Sequence, residues 1–176
     1  MDPKKIEAIK KWPEPTNLKE LQSFLGLSNY YQRFIAQYSS IATPLTDLTH
    51  KDTMYQWTDQ TQDAFQWLKR VMTEAPILRI PDPKKPFTVT TDASNFVLGA
   101  VLQQDQGEGS QLIAFTSWKM NLHERNYSAY DKELLAIVHT LKQWRAYLEG
   151  NPFIIYSDHA MLKHIQDQPM LTGRPA

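Results

Sequence analysis

A chain of 176 residues with 41% hydrophobic and 22% charged residues has room for one full domain, or one domain and a smaller appendage, and is not a disordered composition. Lys+Arg and Asp+Glu both total 19, so net charge gives no hint of a polyanionic partner, and the lack of cysteine excludes disulfides and thiolate metal sites. No apolar run approaches the roughly 20 residues of a membrane span, and Met1-Asp2-Pro3-Lys4-Lys5 lacks the apolar core of a signal peptide, so a soluble intracellular chain is expected.

The first 75 residues read as short helices. Asp2 before Pro3 is a cap and first-position pair; Ile6, Ile9 and Trp12 give one apolar stripe before Pro13-Glu14-Pro15 stops the helix. Asn17 with Glu20 forms a capping-box pattern for a second helix, with Leu18, Leu21, Phe24 and Leu25 inward and Gly26 at its end. Ser28 caps an expected third, carrying Tyr30, Tyr31, Phe34, Ile35 and Tyr38, and Thr43-Pro44 starts a short fourth turn. A fifth runs from Thr58 or Asp59 through Ala64, Phe65, Leu68, Val71 and Met72 and ends before Pro76. Tyr30, Tyr31, Arg33 and Phe34 allow two readings: aromatics interleaved with a basic residue suit contact with nucleic acid, and their helical spacing also suits core packing.

Four prolines between Pro76 and Pro86 forbid a helix and mark an extended connector, so the predicted division is a helical region over 1–75, a connector over 76–86 and a second unit over 87–176. In that second unit the pattern becomes strand, strand, strand, helix, strand, an α/β arrangement. Phe87 to Asp92 and Phe96 to Leu102 are joined by Ala93-Ser94-Asn95, and Leu112 to Trp118 follows the turn-rich 106–110. A long helix is expected from the Asn121/Glu124 capping box to Gly150, with Tyr127, Tyr130, Leu134, Ile137, Val138, Leu141, Trp144 and Leu148 as its stripe. Phe153 to Asp158 is a fully apolar strand expected in the middle of a sheet, and Ala160 to Ile165 begins another helix.

Asp92 and Asp158 each stand where a strand runs out. An aspartate there commonly hydrogen-bonds a turn, and the carboxyl end of a strand is also a common place for chemistry. If Phe87–Asp92 and Phe153–Asp158 lie parallel, joined by a crossover, both aspartates fall on one edge of the sheet. Glu133, at the border of the long helix's apolar stripe, is brought to them by the packing of that helix, whereas Asp131 and Glu149 point away. Three gathered carboxylates repel unless a cation neutralises them, and hard oxygen ligands suit Mg²⁺ or Mn²⁺. Such a site is equipped for phosphoryl transfer to water.

Many segments in order carry a resemblance: Leu21-Gln22-Ser23-Phe24-Leu25-Gly26-Leu27, Tyr30-Tyr31-Gln32-Arg33-Phe34, Trp57-Thr58, Ala75-Pro76-Ile77-Leu78, Thr91-Asp92-Ala93-Ser94, Lys132-Glu133-Leu134-Leu135-Ala136, Trp144-Arg145-Ala146-Tyr147-Leu148 and Ser157-Asp158-His159. Over nearly its whole length the chain resembles the thumb or connection region plus ribonuclease H domain of a gypsy-type long-terminal-repeat retrotransposon polyprotein. The resemblance implies a ribonuclease H-like fold, endonucleolytic hydrolysis of RNA in RNA-DNA hybrids, and Asp92, Glu133 and Asp158 as ligands of Mg²⁺, with Mn²⁺ as substitute. Ser94, Asn95 and His159 beside them, with Tyr30, Tyr31 and Arg33, are the candidate nucleic-acid contacts. It also implies a reverse-transcriptase palm and fingers as upstream partner, and a setting in virus-like particles or the nucleus. The family continues into a last strand and helix with a fourth Asp that has no counterpart here, since Asp167 comes too early, so an incomplete domain is expected. The alternative is an inactive retroelement remnant that only binds nucleic acid or a partner.

Overall fold

The structure is a computed structural model, and it describes residues 3–74 and 78–158. The expected helix from Ala160, together with His159 and Asp167, lies outside the described residues.

Four α-helices build the first part: α1 (Pro3–Lys10), α2 (Leu18–Tyr31), α3 (Tyr38–Asp47) and α4 (Asp59–Glu74), with a 3₁₀ turn at Gln32–Phe34. Asn17 caps α2 by accepting from the Glu20 amide at 3.0 Å, while the Glu20 carboxylate accepts from the Thr16 amide at 2.7 Å. The helical core is Leu21, Phe24, Leu45, Phe65, Leu68 and Met72, all essentially without solvent contact. Phe24 sits 4.6 Å from Phe65 and 6.0 Å from Trp12, tilted as aromatic quadrupoles prefer.

Two helix boundaries differ from those read in the sequence. Gly26 does not end α2, because it lies on an exposed face where an added methyl would meet nothing within 4 Å, so it costs only propensity. Ser28 therefore caps nothing; it is buried, donating to the Leu25 carbonyl and sharing a 2.6 Å hydrogen bond with the Tyr38 hydroxyl. Helix α3 starts at Tyr38 and carries Pro44 inside it instead of beginning there. Its own residue at the cap, Gln37, is left-handed (φ 53°) and supplies no side-chain hydrogen bond. The cap comes instead from a strand 78 positions away, where Ser117 Oγ accepts from the Ser39 amide at 2.9 Å.

The second part is a four-stranded mixed sheet in the order β3-β2-β1-β4, formed by β1 (Phe87–Ala93), β2 (Val97–Asp105), β3 (Ser110–Lys119) and β4 (Phe153–Tyr156). β1 pairs antiparallel with β2 and parallel with β4. Short α5 (Leu122–Arg125), then α6 (Ala129–Gln143) and α7 (Arg145–Leu148), connect β3 to β4. The side of β1 bearing Phe87 and Val89 packs on Trp144 and Leu148, while Leu98, Met120 and Ala136 form a smaller cluster nearer the other end. The helical part docks on β3 through the Ser39–Ser117 bonds and a 2.7 Å ion pair between Lys119 and Asp47.

The single long helix expected from Asn121 to Gly150 is three pieces. The capping box at Asn121 and Glu124 forms as expected, yet its helix lasts one turn. Ser128 then accepts from the Asp131 amide and opens α6 afresh, and Trp144, at φ −105° and ψ 21°, separates α6 from α7. Nor is β4 central: among the described residues it is an edge strand, with Phe153, Ile154 and Tyr156 39–56% exposed.

Candidate functional site

The parallel ladder between β1 and β4 runs from Phe87 opposite Phe153 to Thr90 opposite Tyr156 and then stops. Asp92 and Asp158 each lie two residues beyond this last pair, so the ladder ends before it reaches them. Both aspartates are exposed. The β1 backbone beyond Thr90 thus has no strand partner on that edge, and the carboxylate of Glu133 takes the place of one. Its Oε1 accepts from the Ala93 amide at 3.2 Å, and its Oε2 accepts from Ser157 Oγ at 3.0 Å. One side chain from α6 therefore ties together the carboxyl ends of β1 and β4.

Glu133 is only 4% exposed. Burial pushes its carboxyl above the ordinary carboxylate value; the Asp158 charge and a hydrogen bond shared with Asp158 push it further, while the bonds from Ser157 and the Ala93 amide act in the opposite sense. Loss of water around a charge with a like charge beside it dominates over two hydrogen bonds. A neighbouring cation would remove that penalty.

A cavity of about 300 Å³ opens at this place, lined by Ala93, Ser94 and Asn95 of the β1–β2 turn, by Ala129, Lys132 and Glu133 of α6, and by Asp158. Glu133 and Asp158 share it, while Asp92, next to Ala93, is outside its lining. Among the described residues no group of three or more His, Asp or Glu side chains is placed to hold a metal ion. Ser94 is committed to the turn, donating to the Val97 carbonyl at 2.7 Å and accepting from the Val97 amide at 3.0 Å. Asn95 is exposed at the cavity wall.

In the helical part the aromatic cluster divides. Tyr31 is buried in the core, whereas Tyr30 is 73% exposed and stands edge-on to it at 5.3 Å. Arg33 is exposed, with its guanidinium 5.4 Å from the Phe34 ring. Two residues escaped the sequence reading: Ser157, whose only signal is its place before Asp158, and Lys132, whose signal is a helix face without a carboxylate to pair with. No helix among the described residues is long and apolar enough to cross a membrane.

Comparison with known proteins gives this geometry a family. The family model for an RNase H-like domain found in reverse transcriptase matches residues 57–155. The chain is 45% identical over 168 residues to the retrovirus-related Pol polyprotein from transposon 297 of Drosophila melanogaster, covering 94% of this chain and 15% of that protein. It is 39% identical over 160 residues to the transposon Tf2-3 polyprotein of Schizosaccharomyces pombe, covering 89% and 12%. The chain thus spans only a small part of the curated relatives it matches. A solved foamy viral protease-reverse transcriptase in complex with double-stranded DNA superimposes with a TM-score of 0.84 at 25% identity, over all of this chain and 31% of that one. The fold is also that of the foamy viral enzyme in complex with an RNA/DNA hybrid, at a TM-score of 0.81 over 96% of this chain and 23% of that one. This chain belongs to the family of RNase H-like domains found in reverse transcriptases, in the form carried by retrotransposon Pol polyproteins.

Proposed function

We propose that this chain hydrolyses the RNA strand of RNA-DNA hybrids endonucleolytically, with Asp92, Glu133 and Asp158 as the ligands of Mg²⁺, for which Mn²⁺ substitutes. The observation that carries the proposal is the buried Glu133 carboxylate, held between the carboxyl ends of β1 and β4 and against Asp158. The donor set is all hard oxygen, which fits these ions, and the like-charge contact between Glu133 and Asp158 is the strain a divalent cation relieves. When bound, the ion supplies charge neutralisation and an activated water. Glu133 ties the two strand ends together, and Asp92 and Asp158, just beyond the paired part of those strands, contribute exposed carboxylates. The remaining assignments follow the same reading: 1–75 as a thumb or connection region, 76–86 as connector and 87–176 as the RNase H-like domain, working with an upstream palm and fingers. The separate helical core, which draws only on residues 9–72, supports that division.

A second reading, a domain that binds nucleic acid or a partner without cleaving, is favoured by the lack of a ready three-ligand group among the described residues. One assay separates the two. Incubation of the chain with a labelled hybrid in Mg²⁺ or Mn²⁺ is expected to give internal cuts in the RNA, and both Asp92→Asn and Glu133→Gln are expected to lower the rate at least about 100-fold, the scale of losing a group that acts only in the transition state. Glu133→Gln is expected to stay folded, since a glutamine can still accept from Ala93 and donate to Ser157. Wild-type cleavage no faster than that of Asp92→Asn overturns the enzyme reading.

A further inference from the structure

Lys132 is the fourth residue of α6 and lines the same cavity as Glu133 and Asp158. Its place is poor for stability. A lysine near a helix amino terminus opposes the macrodipole, where an acidic residue such as Asp131 is favoured. Its helix neighbours three and four positions away are Ser128, Ala129, Leu135 and Ala136, none of which can pair with it. Among the described residues no carboxylate lies within 4.0 Å of its ammonium, not even Glu133 or Asp158 across the shared cavity. The side chain is nevertheless half-buried. Pairing within the helix therefore does not account for this charge, and its stem lies against the cavity that Glu133 and Asp158 also line.

The cavity lining thus combines the carboxylates of Glu133 and Asp158 with an ammonium that, among the described residues, pairs with neither of them. Carboxylates alone repel a phosphodiester, so a strand entering here needs positive charge from the protein as well as from any ion the carboxylates hold. Building on the hybrid-cleaving reading above, we infer that Lys132 is a substrate-contacting residue whose ammonium engages a phosphate oxygen of the nucleic-acid strand seated beside Glu133 and Asp158. A lysine serves this as a point charge, and an arginine can replace it, because both donate to phosphate oxygens.

The contact is read by hybrid binding in a chelator, where no cleavage intervenes, with salt varied between about 50 and 200 mM. One phosphate contact contributes about 0.7–0.9 to the slope of log affinity against log salt. Lys132→Ala is expected to lower that slope by this amount and to weaken low-salt binding about three- to tenfold, the scale of one phosphate contact. Lys132→Arg is expected to restore both, and Lys142→Ala, an exposed lysine of the same helix outside the cavity, to leave both unchanged. In cleavage, Lys132→Ala is expected to raise KM more than it lowers kcat. An unchanged slope in Lys132→Ala, an equal loss in Lys132→Arg, or an equal loss in Lys142→Ala overturns the inference. Wild-type chain that binds and cuts hybrid while Lys132→Ala behaves identically sinks this inference alone; wild-type chain that binds no hybrid sinks it together with the proposed function.

Discussion

Gln104 fastens the connector to the sheet, and its replacement gives a measurable cost. The residue is fully buried at the end of β2, opposite Phe87. Its Oε1 accepts from the Asp82 amide at 2.8 Å and from Gln106 Nε2 at 3.0 Å. Its Nε2 donates to the Asp82 and Lys85 carbonyls at 2.8 and 2.9 Å. Gln104→Leu nearly preserves volume and removes all of these, leaving the Asp82 amide and the Lys85 carbonyl without partners, while the Asp82 carbonyl keeps its 3.1 Å bond from the Lys85 amide. An orphaned buried polar group costs about 1–3 kcal/mol. Asp82 and Lys85 are only partly buried, so water recovers some of that and the lower end applies, giving a loss of about 2 kcal/mol for the two groups. For a chain of this size each kcal/mol moves Tm by about 2–4 °C, so circular dichroism should record a drop of roughly 4–8 °C. Amide exchange at Asp82 should accelerate in the same variant. A drop under about 2 °C, with Asp82 exchange unchanged, would show that the connector is held by something other than this side chain.

Two further outcomes follow from other contacts. The His139 ring stacks on Trp118 at 3.5 Å, and burial holds its imidazole below the ordinary value of 6.5, with Lys142 adding to the depression and Glu124 opposing it. A depressed folded value means that the neutral ring is favoured on folding. Its stabilisation is therefore complete above pH 6.5 and is lost as pH falls through the folded value. His139→Phe keeps a stacked ring and should remove that part of the acid sensitivity in urea titrations; an identical pH profile in both proteins refutes the assignment. Ser117→Ala removes the cap of α3 supplied by β3 and should cost about 1 kcal/mol, with faster exchange of the Ser39 amide. An unchanged midpoint in urea would mean that Gln37 or water caps α3 instead.

What could be read from the sequence is what is decided within a few residues. The Asn17/Glu20 and Asn121/Glu124 caps form because donor and acceptor are three positions apart, and α4 runs from Asp59 to Glu74, ahead of Pro76. The parallel pairing of β1 with β4 was legible for a related reason. Phe87–Asp92 and Phe153–Asp158 are stretches of equal length that each open on Phe and end in Asp, and the observed register starts from Phe87 opposite Phe153 and runs to Thr90 opposite Tyr156. What could not be read depends on distant partners. Nothing near Tyr38 announces a helix start, since the capping oxygen arrives from Ser117, and nothing in Phe153-Ile154-Ile155-Tyr156 shows that, among the described residues, it borders the sheet. Glu133 lies between these cases. Its helical position marks it as a border residue, but only the end of the β1–β4 ladder explains its burial: a backbone amide there lacks a strand partner, and a carboxylate from α6 supplies the acceptor. The same tie that satisfies the Ala93 amide leaves a charge short of water beside Asp158. A structural role and an electrostatic penalty thus fall on one side chain, which is why Glu133 is the residue at which stability and the proposed cation site are coupled.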